Sequence, residues 1–318
     1  MTRRRVLAAG LGIAGATALG GAGTWLARPS DGPATPSLAE LRLATGPAGG
    51  VYRIIGGELV AILAERFPAT RVSQIPTGAS VDNLALLGSR GTDLALAYLD
   101  AIVAGLAAHK PEDVTAVARL YDAWMHVIVL GSSPLRSFLD LDGRTITAGA
   151  TGSGSRFTTD RLVELANIRP RIIDASQTEG AELLATGKVD AMLSLTGIPT
   201  PAVTRLANNQ PVRLIPLGGY AESMESRYGA YYAPAPLPAS VYPGVEATDT
   251  LTTPNLLLAR PDLPDTVVQV VADSLFSERD RIARSHPEAN RINVRTAIAT
   301  APIRLHPGAM RYFRSAKP

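Results

Sequence analysis

The chain has 318 residues, of which 46% are hydrophobic and 19% charged, so it is able to bury the core of a globular protein. It contains no cysteine, which excludes disulfide scaffolds, thiolate metal sites, cysteine nucleophiles and a lipid-modified N-terminal cysteine. Its formal charge of +3 comes from Arg3, Arg4 and Arg5, because 28 basic and 28 acidic residues remain without them. A body with no surplus of basic residues argues against nucleic-acid binding.

The first 27 residues have the layout of an export signal. The arginine triplet follows Thr2, and the uncharged stretch 6–27 contains six glycines and is only weakly hydrophobic. This layout resembles a twin-arginine signal, and the alternative is an uncleaved membrane anchor. We therefore expect residues 1–27 to be a signal or anchor, residues 28–40 to be a linker, and the remainder to be exported to the periplasm or cell surface.

From Leu41 onward, short apolar runs alternate with apolar residues at helical spacing, which indicates an α/β protein with mostly parallel strands. The first half is predicted to contain strands, helices and a stretch with two further apolar runs around Tyr121-Asp122. The strands are Leu41–Thr45, Arg71–Ile75 and Asp93–Tyr98, the helices are Val51–Phe67 and one capped by Ser80 that runs to Ser89, and the stretch is Thr115–Leu130.

The second half begins after Ser132-Ser133-Pro134 and repeats the order of strand, glycine-rich loop and helix. A Pro- and Tyr-rich crossing is expected over residues 228–243. The predicted strands are Arg144–Thr147, Arg171–Asp174, Val189–Leu195, Val212–Pro216 and Thr253–Ala259, and the predicted helices are Ser155–Ala166, Thr266–Phe276 and Gly308–Arg314.

Each half opens with a strand, a Gly/Ser-rich loop and a helix. In such sheets, ligands bind beyond the carboxyl ends of the strands, where loops lead into helix N-termini. Backbone N–H groups and the helix dipole favour an anion there. Two such loops facing each other across a cleft would form a clamp for a small solute.

The loop 149–154 invites a nucleotide-binding interpretation, but no Lys-Ser/Thr pair follows its last glycine, which argues against a P-loop. Arg156 stands in a first helical turn, where a cation is unfavourable with the helix dipole. It is expected either to pair with a ligand anion or to be solvated.

Catalytic and metal-binding patterns are scarce in the sequence. The four histidines have unrelated spacings, and no nucleophile elbow or carboxylate cluster occurs. His126 is expected to be a packed core or hinge residue rather than a base, and His306 a helix cap. We therefore expect no enzyme activity, no metal and no cofactor.

Seven short blocks occur in an order that resembles the TAXI family, the extracytoplasmic solute receptors associated with TRAP transporters. The resemblance extends from about Leu41 to Arg314. The blocks are 45–52 with Gly56-Gly57, 76–84, 93–96, 141–144, 152–156, 197–201 and 306–312.

This resemblance implies a two-lobed periplasmic-binding-protein fold of type II, with lobe one at 41–127 plus 234–318 and lobe two at 128–233. It implies hinge closure on a small organic anion, glutamate-like or a dicarboxylate, and delivery to a TRAP permease; we expect the receptor to be a monomer. A sensor kinase is the alternative partner, and an exported enzyme is the alternative class. By analogy, the ligand-binding residues would be Gly49, Gly50, Tyr52, Thr77, Ser80, Asn83, Tyr121, Ser153, Gly154, Ser155, Arg156, Thr196, Pro199 and Tyr231.

Two departures from the family pattern bear on the ligand. Ala97-Tyr98-Leu99-Asp100 stands where the family often has a Gln-Ser-Asp-like run, which would shift the preference towards a larger or more apolar solute if that run touches it. Pro47-Ala48 stands where the family tends to have small polar residues, which removes a hydrogen-bond donor.

Overall fold

The computed structural model describes residues 38–108 and 114–316. The predicted signal or anchor, and the predicted linker as far as residue 37, lie outside the described residues. Glu40, the last residue of the predicted linker, begins the first strand. Within the described ranges, no helix is long and apolar enough to cross a membrane.

The first part of the chain alternates strands and helices up to one long strand. In chain order the elements are β1 (Glu40–Ala44), α1 (Val51–Arg66), β2 (Arg71–Ile75), α2 (Ser80–Gly88), β3 (Leu94–Tyr98), α3 (Leu99–Ala108) and β4 (Thr115–Leu130).

The middle part repeats this alternation, and the last part returns through a second long strand. The elements are β5 (Thr145–Thr147), α4 (Gly154–Ala166), β6 (Arg171–Ile173), α5 (Gln177–Ala185), β7 (Ala191–Thr196), α6 (Pro201–Asn209), β8 (Val212–Leu214), α7 (Ala221–Tyr228), β9 (Ala233–Leu237), β10 (Thr248–Ala259), α8 (Asp265–Ser277), α9 (Arg279–Ser285) and α10 (Pro307–Ser315).

All ten strands belong to one sheet with the order β2-β1-β3-β10-β4-β7-β5-β6, while β8 pairs with β4 and β9 with β10. The two ends of the sheet are parallel, and every pairing that involves β4 or β10 is antiparallel. The sheet is therefore mixed, and the parallel character that the sequence predicted is confined to its two ends.

The two long strands connect the ends of the sheet. Strand β4 pairs with β10 along its first part and transfers to β7 at Trp124, which lies opposite both Thr252 and Thr196. The β4–β10 ladder has a register shift after Pro254, a residue that cannot donate a ladder hydrogen bond. A second register shift lies between Leu257 and Leu258, so the two parallel ends of the sheet are joined by long strands with two irregularities in their ladder.

Alternation along β3 places its side chains in two different cores. Leu94, Leu96 and Tyr98 belong to the core that includes α1 and α8, whereas Ala95 and Ala97 face the opposite core. Because β3 is covered on both faces, it is a continuous apolar run, which is typical of buried parallel strands.

Several expectations from the sequence need correction. Ser80 is the first residue of α2 and not its cap; the N-cap is Ala79, which has no side-chain hydrogen bond to the helix. Thr115–Leu130 is one strand rather than two apolar runs. The Pro/Tyr-rich crossing contains strand β9, whose two prolines are tolerated because β9 pairs only with β10.

Both histidine expectations are confirmed. His126 is buried, with its ring nitrogens 2.8 Å from the Trp124 carbonyl and 2.9 Å from the Tyr242 hydroxyl. Burial lowers the pKa of His126 to about 4. His306 is the N-cap of α10, and its Nδ1 accepts a hydrogen bond from the backbone N–H of Gly308 at 3.1 Å.

Candidate functional site

A cavity lies where the loops after the parallel strands of both lobes meet. Its empty volume is about 370 Å³, open solvent at its mouth included. The lining residues come from the loops and first turns around α1, α2, α4 and α5 and from the ends of β3 and β7. They are Pro47, Gly50, Val51, Tyr52, Gly78, Ala79, Tyr98, Gly149, Ala150, Ser153, Ser155, Gln177, Leu195 and Thr196.

The N-terminus of α1 opens directly into this cavity. Its N-cap is Gly50, which has no side chain to accept a hydrogen bond from the first turn. The next two residues, Val51 and Tyr52, also line the cavity. The first-turn N–H groups of a 16-residue helix and the positive end of its dipole therefore face the cavity without a capping side chain.

The N-termini of α2 and α4 are engaged to a greater extent by the protein itself. The N–H groups of Val81 and Asp82 both donate to the carbonyl of Gly152, at 3.0 and 3.2 Å. In α4 the Ser153 hydroxyl caps the helix by accepting from the N–H of Arg156 at 3.0 Å. Among these three helices, α1 thus leaves most of its first turn for a ligand.

Two tyrosines form the aromatic wall of the cavity. The ring centroids of Tyr52 and Tyr98 are 5.0 Å apart. The hydroxyl of Tyr52 donates to Asn255 Oδ1 at 2.9 Å, and that of Tyr98 donates to the carbonyl of Leu195 at 2.8 Å. Burial raises the pKa of both tyrosines, so both stay neutral at physiological pH.

Gln177, the first residue of α5, presents a side-chain amide to the cavity. Only 8% of the residue is exposed, and its Oε1 has no hydrogen-bond partner among the described residues. The amide lies beside the α1 N-terminus, since a Cβ placed on Gly50 would be 3.8 Å from its Nε2. A buried amide without a partner is costly, which makes Gln177 a candidate ligand contact.

Five of the residues predicted from the sequence lie around the cavity: Gly50, Tyr52, Ser153, Ser155 and Thr196. Ser155 contributes little free hydrogen-bonding capacity there. Its hydroxyl accepts from the N–H of Leu195 at 2.9 Å and donates to the carbonyl of the same residue at 3.0 Å. The Ser155 side chain therefore fixes α4 to the end of β7.

Three other predicted residues hold the loops in place and do not line the cavity. The Asn83 amide is buried and donates to the carbonyls of Thr45 and Leu96, both at 2.7 Å. Thr77 donates to Asn83 Oδ1 at 2.6 Å, and the Ser80 hydroxyl accepts from the N–H of Tyr98 at 3.1 Å.

The remaining predicted residues also lie outside the cavity lining. Gly49 and Gly154 pack against the opposite lobe, the Pro199 carbonyl is 2.9 Å from the His286 ring, and Tyr231 packs against Tyr232. Tyr121 is buried, and its hydroxyl has no partner among the described residues.

Arg156 is partly exposed, does not line the cavity, and is paired with two carboxylates. Its guanidinium pairs with Asp160, with Nε 2.9 Å from Oδ1, and with Asp174, with Nη1 3.0 Å from Oδ1. These two carboxylates compensate for a cation in the first turn of α4. A contact between Arg156 and the ligand stays a prediction. It would require the guanidinium to leave Asp160 and Asp174.

Sequence reasoning missed several lining residues, above all Tyr98 and Gln177. Both lie at the carboxyl ends of parallel strands, where ligands are expected: Tyr98 ends β3, and Gln177 follows β6 across a short loop. The departure from the family pattern at residues 97–100 does reach the cavity, through Tyr98. Pro47, which belongs to the other departure, lines the cavity as well.

The two lobes touch each other directly around the cavity. Asp100, buried at the start of α3, accepts hydrogen bonds from the Thr158 hydroxyl at 2.5 Å and the Tyr232 hydroxyl at 2.8 Å. On the other side, Glu288 Oε2 accepts from the N–H of Ile198 at 3.1 Å. With the Tyr98 hydroxyl bound to the Leu195 carbonyl, these contacts connect the two sides of the cavity.

Solved structures with the same fold include binding proteins. The alkanesulfonate-binding protein SsuA of Xanthomonas axonopodis pv. citri, bound to MOPS, is 18% identical with a TM-score of 0.53, over 89% of this chain and 86% of that one. The periplasmic binding protein BugD is 14% identical with a TM-score of 0.54, over 87% and 93% of the two chains. A putative L-cystine ABC transporter protein of Listeria monocytogenes is 14% identical with a TM-score of 0.51, over 80% and 99%.

The fold is thus the two-lobed α/β fold of periplasmic solute-binding proteins, with a mixed sheet. The model of the NMT1-like family matches residues 43–316, which is most of the chain. The chain belongs to the NMT1-like family.

Proposed function

We propose that this protein is an extracytoplasmic receptor that closes on a small organic anion and delivers it to a membrane transporter without chemical conversion. The observation that carries the proposal is the α1 N-terminus, which faces the cavity between the lobes and is not capped by a side chain. Helix N-termini of this kind bind carboxylates through backbone N–H groups and the helix dipole.

The lobe boundaries at residues 127/128 and 233/234 belong to the same proposal. They place the strand transfer at Trp124 and strand β9 close to the two hinge crossings. Closure about these crossings would trap the solute between the helices α1 and α2 of lobe one and the helices α4 and α5 of lobe two. A transporter can then recognise the closed arrangement of the lobes.

A TRAP-type permease as the partner, and membership of the TAXI group, rest on the sequence blocks quoted above. The glutamate-like or dicarboxylate ligand rests on the same resemblance. The export signal at residues 1–27, cleaved or retained as an anchor, is part of the proposal and follows from the arginine triplet and the uncharged stretch behind it.

A thermal-shift screen of the purified chain against organic anions, sugars and metal ions tests the proposal. A ligand at a hundredfold excess over its dissociation constant stabilises the native state by about 2.7 kcal/mol, which is easily detected. We expect one or more small organic anions to raise the melting temperature, with the anion recovered unchanged. Stabilisation by sugars or metal ions alone, or turnover of the anion, would contradict the proposal.

A further inference from the structure

The charges around the cavity narrow the class of solute, and this inference rests on the proposed function. Of the fourteen residues that line the cavity, none has a charged side chain. The nearby charges are compensated by the protein: Arg156 pairs with Asp160 and Asp174, and Asp82 Oδ2 accepts from the N–H of Gly78 at 2.9 Å. Any charge on the solute must therefore be stabilised by backbone groups and helix dipoles.

This arrangement fits one negative charge and disfavours further charges. The α1 N-terminus, which carries about half of a positive charge, offers donors to one anionic group. A second carboxylate would be buried without a cation, and an ammonium group would be buried without a carboxylate. Burying an unpaired charge is costly, so dicarboxylates and amino acids are disfavoured by the same physical effect, and the inference departs here from the glutamate-like or dicarboxylate ligand that the sequence resemblance implies.

Gln177 adds a requirement for an uncharged polar group on the solute. Gln177 is only 8% exposed, and its amide lies beside Gly50. The amide oxygen Oε1 has no hydrogen-bond partner among the described residues. An amide has both a donor and an acceptor, and rotation about its last bond exchanges them. It can therefore pair with a hydroxyl or with a carbonyl oxygen close to the anionic group.

The size of the cavity limits the length of the solute. The empty volume is about 370 Å³ even with the solvent at the open mouth included, and Tyr52 and Tyr98 close one side. We infer that the site takes a short monocarboxylate with a neutral oxygen substituent next to the carboxylate, a 2-hydroxy or 2-oxo acid, and that Gln177 is the residue that recognises this oxygen.

Calorimetric titration of the full chain with matched compounds tests the solute class. L-Lactate and pyruvate are compared with four kinds of compound. Propionate lacks the neutral oxygen, and lactamide lacks the negative charge. L-Alanine carries an ammonium group, and L-malate and 2-oxoglutarate carry a second carboxylate. We expect lactate or pyruvate to bind at least tenfold more tightly than each comparison compound.

The outcomes separate this inference from the proposed function. Tighter binding of malate, 2-oxoglutarate, alanine or glutamate would overturn the inference. The proposed function, a receptor for a small organic anion, would still stand. Equal binding of propionate and lactate would overturn the role of the neutral oxygen. Binding of lactamide alone, or of no anion at all, would overturn both.

Substitutions of Gln177 test the residue itself. Gln177→Ala should reduce the preference for lactate over propionate by about five- to tenfold, the effect of one lost hydrogen bond, with propionate affinity within about twofold of wild type. Gln177→Glu places a negative charge beside the proposed anion position and should abolish lactate binding, and circular dichroism checks that the variant is folded. Gln210→Ala, after the end of α6, is the matched control. An unchanged preference in Gln177→Ala would overturn the assignment.

Discussion

Single glycines determine how closely the two lobes approach each other. Gly49 has φ +80°, and a Cβ on it would lie 2.3 Å from the Thr178 hydroxyl of α5. A Cβ on Gly154 would lie 2.3 Å from the Tyr98 ring and 2.7 Å from the Ser80 hydroxyl. Both clashes involve residues of the opposite lobe under the proposed boundaries. The positive φ of Gly49 already favours glycine in its own loop, whereas at Gly154 the clash across the lobes is the constraint.

Gly154→Ala is therefore expected to block closure and leave the fold intact. Gly154 is the first residue of α4, where alanine is a better helix former, so the free energy of unfolding without ligand should change by less than about 1 kcal/mol. The dissociation constant of the tightest-binding anion should rise at least tenfold in calorimetric titration. Gly88→Ala is the control, because no atom lies within 4 Å of its Cβ position. Undiminished affinity in Gly154→Ala would contradict the closed arrangement.

Among the secondary-structure elements, α1 combines the features of a structural helix and a binding element. It packs against α8 and α9 and buries Ile55, Leu59 and Ile62 in the core of lobe one. Its N-cap Gly50 has an extended backbone conformation, φ −96° and ψ 155°, that is open to any residue. A better cap is therefore sterically possible, and its absence leaves the N–H groups free for a ligand.

Gly50→Asp should stabilise the helix and weaken the binding of anions. A carboxylate at the N-cap satisfies first-turn donors and interacts favourably with the dipole, which contributes a few tenths to about 1 kcal/mol of stability. The same carboxylate would occupy the proposed anion position, so we expect a loss of at least tenfold in affinity. Chemical denaturation and calorimetric titration measure the two effects. Gly50→Ala is the matched control. An equal loss of anion affinity in both variants would show that the size of the side chain, and not its charge, weakens binding.

In the molecule as a whole, the two lobes are joined by polar contacts that depend on pH. Glu288 is 1% exposed and receives the N–H of Ile198 from the opposite lobe. Burial raises the pKa of Glu288 from 4.5 to about 7, and the nearby carboxylate of Asp122 acts in the same direction. The Arg291 guanidinium, 3.5 Å from the other carboxylate oxygen, partly opposes this shift.

The sign of the pH dependence follows from proton binding. Between about pH 4.5 and 7 the folded protein holds a proton on Glu288 that the unfolded chain releases, so this group's contribution to stability falls as the pH rises. Glu288→Gln removes the titration and keeps an acceptor for Ile198. We expect the melting temperature of the variant relative to wild type to rise from pH 5 to pH 8, by the equivalent of up to about 3 kcal/mol. His126 titrates in both proteins, so its opposite effect cancels in the comparison, and a constant difference would contradict the prediction.

Much of the fold could be predicted from local patterns. The strand Arg71–Ile75 coincides with its prediction, and most of the other predicted strands and helices agree within two residues. Helix α3 was missed because it begins directly after β3 with no turn residue between them. The N-terminal part of β10 was missed because its residues 248–252 are rich in Thr and pair with the edge strand β9.

The candidate site could be predicted as a set of loops but not as a set of contacts. Gly50 and Ser153 line the cavity because they follow parallel strands, which periodicity indicates. Thr77, Asn83 and Arg156 occupy similar positions, yet their polar groups bind other parts of the protein. Sequence shows that a polar side chain is near a strand end, and it does not show which partner the side chain meets.

The sequence by itself determined the alternation of strands and helices, the loops that follow parallel strands, and the balance of charge in the body of the chain. These properties depend on residue type and on spacing along the chain. The tertiary structure alone decided that β4 passes from β10 to β7 within one sheet, that α1 is left uncapped towards the cavity, and that Gln177 meets Gly50. Those outcomes depend on contacts between residues far apart in the chain, whose geometry local patterns do not specify.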